Sequence, residues 1–228
     1  MKNYIILAAA SLLCVSCFSV NTNYKGGKDA VKGEGPVITK SYDFKDFDRI
    51  QVNGNADITF TQADAWEVTL RTQENIIDEL DYKVEGGALV IEAKDRRTIR
   101  AEVYELTIKA PALKAVEMNG AGDINILDGL RMDGDVKVEI NGAGDIDMRR
   151  LVCKELKISA NGACDVDASD IDVESVKVEI NGAGDVRLTG KAGSADLEVN
   201  GAGDINATNL AVAGEVKKHA AGLAKIKI

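Results

Sequence analysis

One short motif constrains the fold more than anything else in the chain. The pattern N-G-A-G-D-[IV] starts at Asn119, Asn141, Asn181 and Asn200, and at Asn161 with Cys in place of the second Gly. The intervals are 22, 20, 20 and 19 residues. A looser copy, N-G-N-A-D-I, starts at Asn53, and a degenerate one, H-A-A-G-L-A, at His219. Self-similarity at a period near 20 residues marks a solenoid, in which each repeat buries its apolar face only against its neighbours.

Alternation on either side of the motif defines the rung. Apolar residues precede it at Val116/Met118, Val138/Ile140, Ile158/Ala160, Val178/Ile180 and Leu197/Val199. They follow it at Ile124/Ile126, Ile146/Met148, Val166/Ala168, Val186/Leu188 and Ile205/Ala207. Period 2 on both sides predicts two short strands, each with one buried face. A weaker third pair, Leu130/Met132, Leu151/Cys153, Ile171/Val173 and Leu210/Val212, adds a third side, which Lys191 and Gly193 interrupt in the fourth rung. The expected fold is all-β: a right-handed parallel β-helix with rungs of about 20 residues, the hand being the default for parallel crossovers.

Nine of the 22 glycines fall in the five motifs, where a corner needs positive φ, and Asn also tolerates a left-handed backbone. The copy at His219 puts Lys218 at an apolar position and Leu223 at the Asp position, as an end-covering repeat would. Residues 41–118 are less regular. They contain strand-like runs and a short helix over Glu74 to Leu80, and the stretch from Asn53 to Asn119 has the length of three rungs with insertions. One β-helix domain over 41–228, with the regular repeats in 116–228, accounts for the pattern.

The first 17 residues have the layout of an export signal. Lys2 is followed by a short apolar run from Tyr4 to Val15 and then Ser16-Cys17. The run is shorter than the roughly 20 residues a membrane-spanning helix needs. The segment resembles a bacterial lipoprotein signal, which makes Cys17 the lipidation site and the new N-terminus; an ordinary cleaved secretory signal is the alternative. Residues 18–40 read as a flexible tether up to the domain. Loss of Lys2 takes the net charge from −9 to −10, which argues against a nucleic-acid partner. A single His, His219, excludes multi-His metal sites and disfavours a Ser-His-Asp triad.

Stacking turns motif positions into columns. Asn119, Asn141, Asn161, Asn181 and Asn200 predict a ladder of side-chain amides, with ligand binding as the alternative. Glu117, Glu139, Glu179 and Glu198 stand two residues before Asn, beside a column containing Lys137, Lys157 and Lys177, so cross-rung ion pairs can balance them. Asp123, Asp145, Asp165, Asp185 and Asp204 have no basic partner in the motif. At about 4.8 Å apart, neighbouring carboxylates repel by roughly 3–4 kcal/mol at an effective dielectric of 20 and about 1 in water. Turn amides donating to the carboxylates would offset this, and so would a bridging cation such as Ca²⁺. The structural role is the expectation, since the motif lacks the G-G-x-G-x-D spacing of calcium-binding β-rolls. No cofactor is expected. Cys153 falls at an inward position and Cys164 replaces a corner Gly; a disulfide between them is left open.

The opening S-Y-D-F-K-D-F-D-R-I-Q-V-N-G from Ser41, the E-L-T-I-K-A-P-A-L-K-A-V segment from Glu105 and the N-G-A-G-D series resemble the Bacteroidetes "putative auto-transporter adhesin, head GIN domain" family. The resemblance implies a β-helical envelope protein, often a lipoprotein, and brings no catalytic residues. Three functions compete. The first is a non-enzymatic lipoprotein in the bacterial cell envelope, anchored in the outer membrane on its periplasmic face or at the cell surface, and binding a glycan or protein through a repetitive surface. The second is a polysaccharide lyase-like enzyme with Arg149, Arg150 or Arg187 as base. The third is a structural spacer. A catalytic site breaks a repeat because its residues differ in role, whereas here the acidic positions recur almost unchanged. Aromatic residues for sugar stacking are scarce, with Trp66 the single Trp.

Overall fold

The computed structural model describes residues 30–228. From Ala115 onward the chain winds as a parallel three-sided β-solenoid. On the first side Asn119 lies opposite Asn141, and Asn161, Asn181 and Asn200 continue the column in unbroken register. On the second, Ile124 is followed by Ile146, Val166 and Val186. On the third, Leu130 faces Leu151, and Cys153 faces Val173. The alternating residues of all three sides meet in one core. Each fully buried Val, Leu or Ile contributes roughly 1.5–3 kcal/mol.

The third side is not broken at Lys191. A register irregularity after Ala168 places Gly190 opposite Ile171 and buried Ala192 opposite Val173, while Lys191 points outward. The rung is one residue shorter than the one before it, which moves small residues into the inward positions.

The less regular half is an end cap. Strand Arg49–Asn53 pairs directly with Ala115–Ala121, and Asp57–Gln62 pairs with Ile124–Ile126. The 66 residues from Asn53 to Asn119 therefore insert no rungs between these two, contrary to the three that length suggests. The chain instead doubles back over the end. Ala88–Ala93 and Tyr104–Ala110 add one parallel layer on the far side of the Asn53 rung. Antiparallel strands Leu80–Glu85, Glu67–Gln73 and Val37–Tyr42 lie outside that layer. A solenoid end exposes apolar cross-section and unpaired strand edges, and this returning chain covers both. Helix Glu74–Ile77 adds Ile76 and Ile77 to the covered core, ending before Leu80, which opens the next strand.

The domain also begins earlier than composition suggests. Val31–Lys32 pairs with Ile99–Arg100, and Asn75 ties the segment down by donating to the Lys32 carbonyl and accepting from the Glu34 amide, both at 2.7 Å. Residues 31–40 are thus part of the fold rather than of a tether. The proposed signal, Cys17 and the rest of the tether lie outside the described residues.

At the other end, Val216–Lys227 adds a final parallel strand with Ala221 opposite Asn200 and Lys225 opposite Asp204. The copy at His219 is therefore offset by two residues, and the Asp column is followed by Lys225 rather than Leu223, which is 85% exposed. Lys218 is opposite Leu197 and exposed. Among the described residues no helix is long and apolar enough to cross a membrane.

Candidate functional site

The positive φ values of the recurring corner fall on glycines. The motif Asn residues have ordinary strand backbone, whereas Gly142, Gly162, Gly182 and Gly201 have φ between 143° and 155°, a region essentially reserved for Gly. A second constraint acts at the same atoms. A Cβ on Gly182 would overlap the carbonyl oxygen of Gly162, and one on Gly162 that of Gly142. At this corner any L side chain would point into the backbone of the preceding rung.

The same stacking brings the side chains into two ladders. In the first, Asn200 Nδ2 donates to Asn181 Oδ1 at 3.1 Å, and Asn181, Asn161, Asn141 and Asn119 repeat the bond down to Asn53 at 2.8–3.0 Å. Glu117, Glu139, Glu179 and Glu198 accept from the same Nδ2 groups at 2.8–3.1 Å, which fixes the orientation of every amide they touch. Cation pairing is secondary for this column. Lys137 meets Glu139 within its own rung and Lys177 reaches Asp196 across rungs at 4.0 Å. The Lys137 ammonium holds the Glu139 carboxyl below its usual range.

The second ladder joins carboxylate to backbone. Asp57 Oδ1 accepts from the amide of Asp123, Asp123 from Asp145, Asp165 from Asp185 and Asp185 from Asp204, at 2.7–3.1 Å. The donor belongs to the next rung, not to the carboxylate's own turn. Asp57 and Lys225 extend the column at its two ends. The looser copy at Asn53 signalled the first, and the offset of the last copy concealed the second. Asp145, Asp165 and Asp185 are exposed, so their mutual repulsion is near the lower, aqueous figure.

Beside the Asp column runs a shallow groove of about 550 Å³. Its other wall is the outward column Asp147, Asp167, Arg187, Asn206 and Lys227, so the groove is acidic in its middle rungs and becomes basic toward the C-terminal end. Of the three candidate arginines only Arg187 lies here. Arg149 is paired with Asp147 at 3.0 Å, and Arg150 turns toward the Leu127 carbonyl. Trp66 is partly buried with its indole N–H on the Phe47 carbonyl, so it is a packing residue rather than an open platform. Cys153 and Cys164 are buried free thiols, each pushed up to about 12, by burial first and then by Asp135 and Asp145 respectively. Among the described residues no three His, Cys, Asp or Glu side chains are grouped to hold a metal ion.

The sequence profile of the family described as "Putative auto-transporter adhesin, head GIN domain" matches residues 46–169 and 149–228. The chain belongs to this family. Its head GIN solenoid is similar to a putative adhesin from Bacteroides fragilis, with a TM-score of 0.71 at 22% identity over 86% of this chain and 99% of that one. It is also similar to a putative lipid binding protein from Parabacteroides distasonis, with a TM-score of 0.54 at 20% identity, covering 87% and 100% of the two chains. A putative adhesin from Parabacteroides merdae gives a TM-score of 0.50 at 17% identity over 88% and 100%. These likenesses establish a shared fold. No curated protein matches the sequence.

The Asp ladder makes a testable distinction. Asn at position 165 keeps an Oδ1 to accept from the Asp185 amide and removes one charge from the middle of the column. Asp165→Asn is therefore expected to leave the melting temperature unchanged or slightly raised, and added Ca²⁺ to do no more than matched NaCl. A shared cation would instead stabilise the native protein by about 2.7 kcal/mol at a hundredfold excess over its dissociation constant. A calcium-dependent shift in melting that disappears in Asp165→Asn would show that the column is a cation site.

Proposed function

We propose that this head GIN protein is a non-enzymatic lipoprotein of the bacterial cell envelope. It is held to the outer membrane through Cys17 and presents its solenoid face to a glycan or protein. One observation carries the reading. The outward Asn and Asp positions recur in every regular rung, and Glu in all but the one that carries Ser159, on a hydrogen-bonded frame. Such an array offers many equivalent weak contacts to an extended partner, whose combined engagement exceeds any one of them. Family membership supports the reading. So does the engagement of Arg149 by Asp147 and of Arg150 by the Leu127 carbonyl, which leaves two of the three candidate lyase bases occupied. The buried cysteines, protonated at neutral pH, are poor nucleophiles.

One preparation tests both parts. The protein expressed with its own N-terminal segment should sediment with membranes, and Cys17→Ser should move it to the soluble fraction, because two or more acyl chains give stable attachment. The released protein, applied to a glycan array and to envelope extracts, should retain an extended glycan or a protein. A Cys17→Ser protein that still sediments would remove the anchor, silence on both arrays would favour a spacer, and cleavage of an acidic polysaccharide would establish an enzyme.

A further inference from the structure

The strongest departure from the repeat is at the N-terminal end of the Asn ladder. There the cap strand Ala88–Ala93 replaces the motif and leads into the tight turn Lys94–Arg96. A cleft of about 400 Å³ opens between this turn and the Asn53 and Asn119 corners. Its volume is in the range of small-molecule sites, about 300–1,000 Å³.

Three features give the cleft unpartnered N–H donors in a chain of net charge −9. The ladder is polar. Every amide donates toward the N-terminal end, so the stack terminates at Asn53, whose own Nδ2 meets no acceptor among the described residues and lines the cleft. Arg96 lines the cleft and has no ion-pair partner among the described residues. Arg97 is held by Glu79, and its Nε–H is enclosed with no acceptor among the described residues. The one carboxylate in the lining, Glu92, stands opposite Asn53 in the strand register and 3.7 Å from Lys83, which Glu85 also engages at 3.2 Å.

The backbone supports the same inference. Asp95 and Arg96 both have φ of 53°, a left-handed conformation that non-glycine residues seldom adopt and that Asp46, Arg150 and Asp170 share singly, whereas here two adjacent residues hold it. Strain of this kind persists where the surrounding structure imposes it, and it is concentrated at ligand-binding sites. A Gly at position 96 would satisfy the backbone better, and the chain has an arginine there instead.

We propose that this cleft binds a carboxylate-bearing sugar. A guanidinium recognises a planar carboxylate through paired N–H donors. The Asn53 amide N–H, the Tyr104 hydroxyl and the Glu92 carboxylate supply the mixed donors and acceptors that ring hydroxyls require. Leu80 and Ile99 form the apolar part of the lining. The site lies off the repeating columns, so it stands whether or not those columns display a surface for adhesion.

Calorimetric titration of the intact protein with D-galacturonate, D-galactose and acetate tests the assignment. Galacturonate should bind saturably at millimolar concentration. Galactose lacks the charge and acetate lacks the ring, and each should bind at least about tenfold more weakly. Arg96→Gly should weaken galacturonate roughly ten- to a hundredfold, the loss of a hydrogen bond to a charged group, while its melting temperature holds or rises as backbone strain is relieved. Arg96→Gln keeps the stem and should lose the same affinity, which excludes a merely altered turn. Absence of saturable galacturonate binding, equal binding of galactose, or full affinity in both Arg96 variants would each overturn the proposal.

Discussion

Gly182→Ala is expected to destabilise the protein by about 3 kcal/mol or more, a large effect for a single methyl group. Two penalties combine. Position 182 has φ of 150°, where a Cβ strains the backbone by about 1–3 kcal/mol. The added carbon also overlaps the Gly162 carbonyl, which belongs to the rung below and cannot rotate away without giving up its place in the ladder. Relief requires the two rungs to separate, which lengthens the Asn181–Asn161 and Asp185–Asp165 bonds and loosens the apolar column beneath them. Ala183→Gly, next in sequence but exposed, should cost no more than about 1 kcal/mol. Because each rung is coupled mainly to its neighbours, hydrogen exchange should locate the loss in the rungs flanking Gly182 before it appears elsewhere. Equal urea midpoints for the two variants would mean that the corner has room for a Cβ above the Gly162 carbonyl.

The same corner shows how far the sequence is legible. Period-2 alternation places Val116, Ile140, Ile158 and Leu197 inward, and all four are buried. The motif spacing gives the parallel register of the regular rungs, because identical residues stack on identical residues. What the pattern omits is whatever depends on close approach or on the ends. The glycines look like turn formers, yet half of their reason is a carbonyl about 20 residues earlier in the chain. The Glu column looks like half of an ion-pair array, yet its oxygens orient the Asn amides. Length alone assigns rungs to residues 54–118, but a chain covering an open end can return antiparallel, and no local signal separates the two courses. The fold class is confirmed by the strand pairing and by its likeness to solved solenoids. The cleft beside Arg96 was invisible because its lining comes from four separate stretches, around Asn53, Leu80, Arg96 and Asn119, and only the first and last carry the motif.

Ile140→Asp carries the second large effect and is the sharpest test of inward and outward faces. Ile140 is fully buried between Met118 and Ala160 of the adjacent rungs. Removing the side chain costs about 2–5 kcal/mol in lost transfer energy and cavity. Placing a carboxyl there adds about 1–3 kcal/mol more for a polar group without a partner. The sum approaches the total stability of many domains, about 5–15 kcal/mol. Burial raises the pKa of the new carboxyl above its unfolded value of about 3.9. The folded state then holds the proton more tightly than the unfolded state. The deficit is therefore smallest below about pH 4, grows as the pH rises toward the folded pKa, and is constant beyond it. Glu139→Gln, one residue away, should stay within about 1 kcal/mol of the parent. The Gln Oε1 can still accept from Asn141, and only the partly exposed pair with Lys137 is lost. Melting curves at neutral and acidic pH give the comparison. Similar losses in the two variants, or an Ile140→Asp deficit that does not shrink in acid, would place Ile140 outside the dry core.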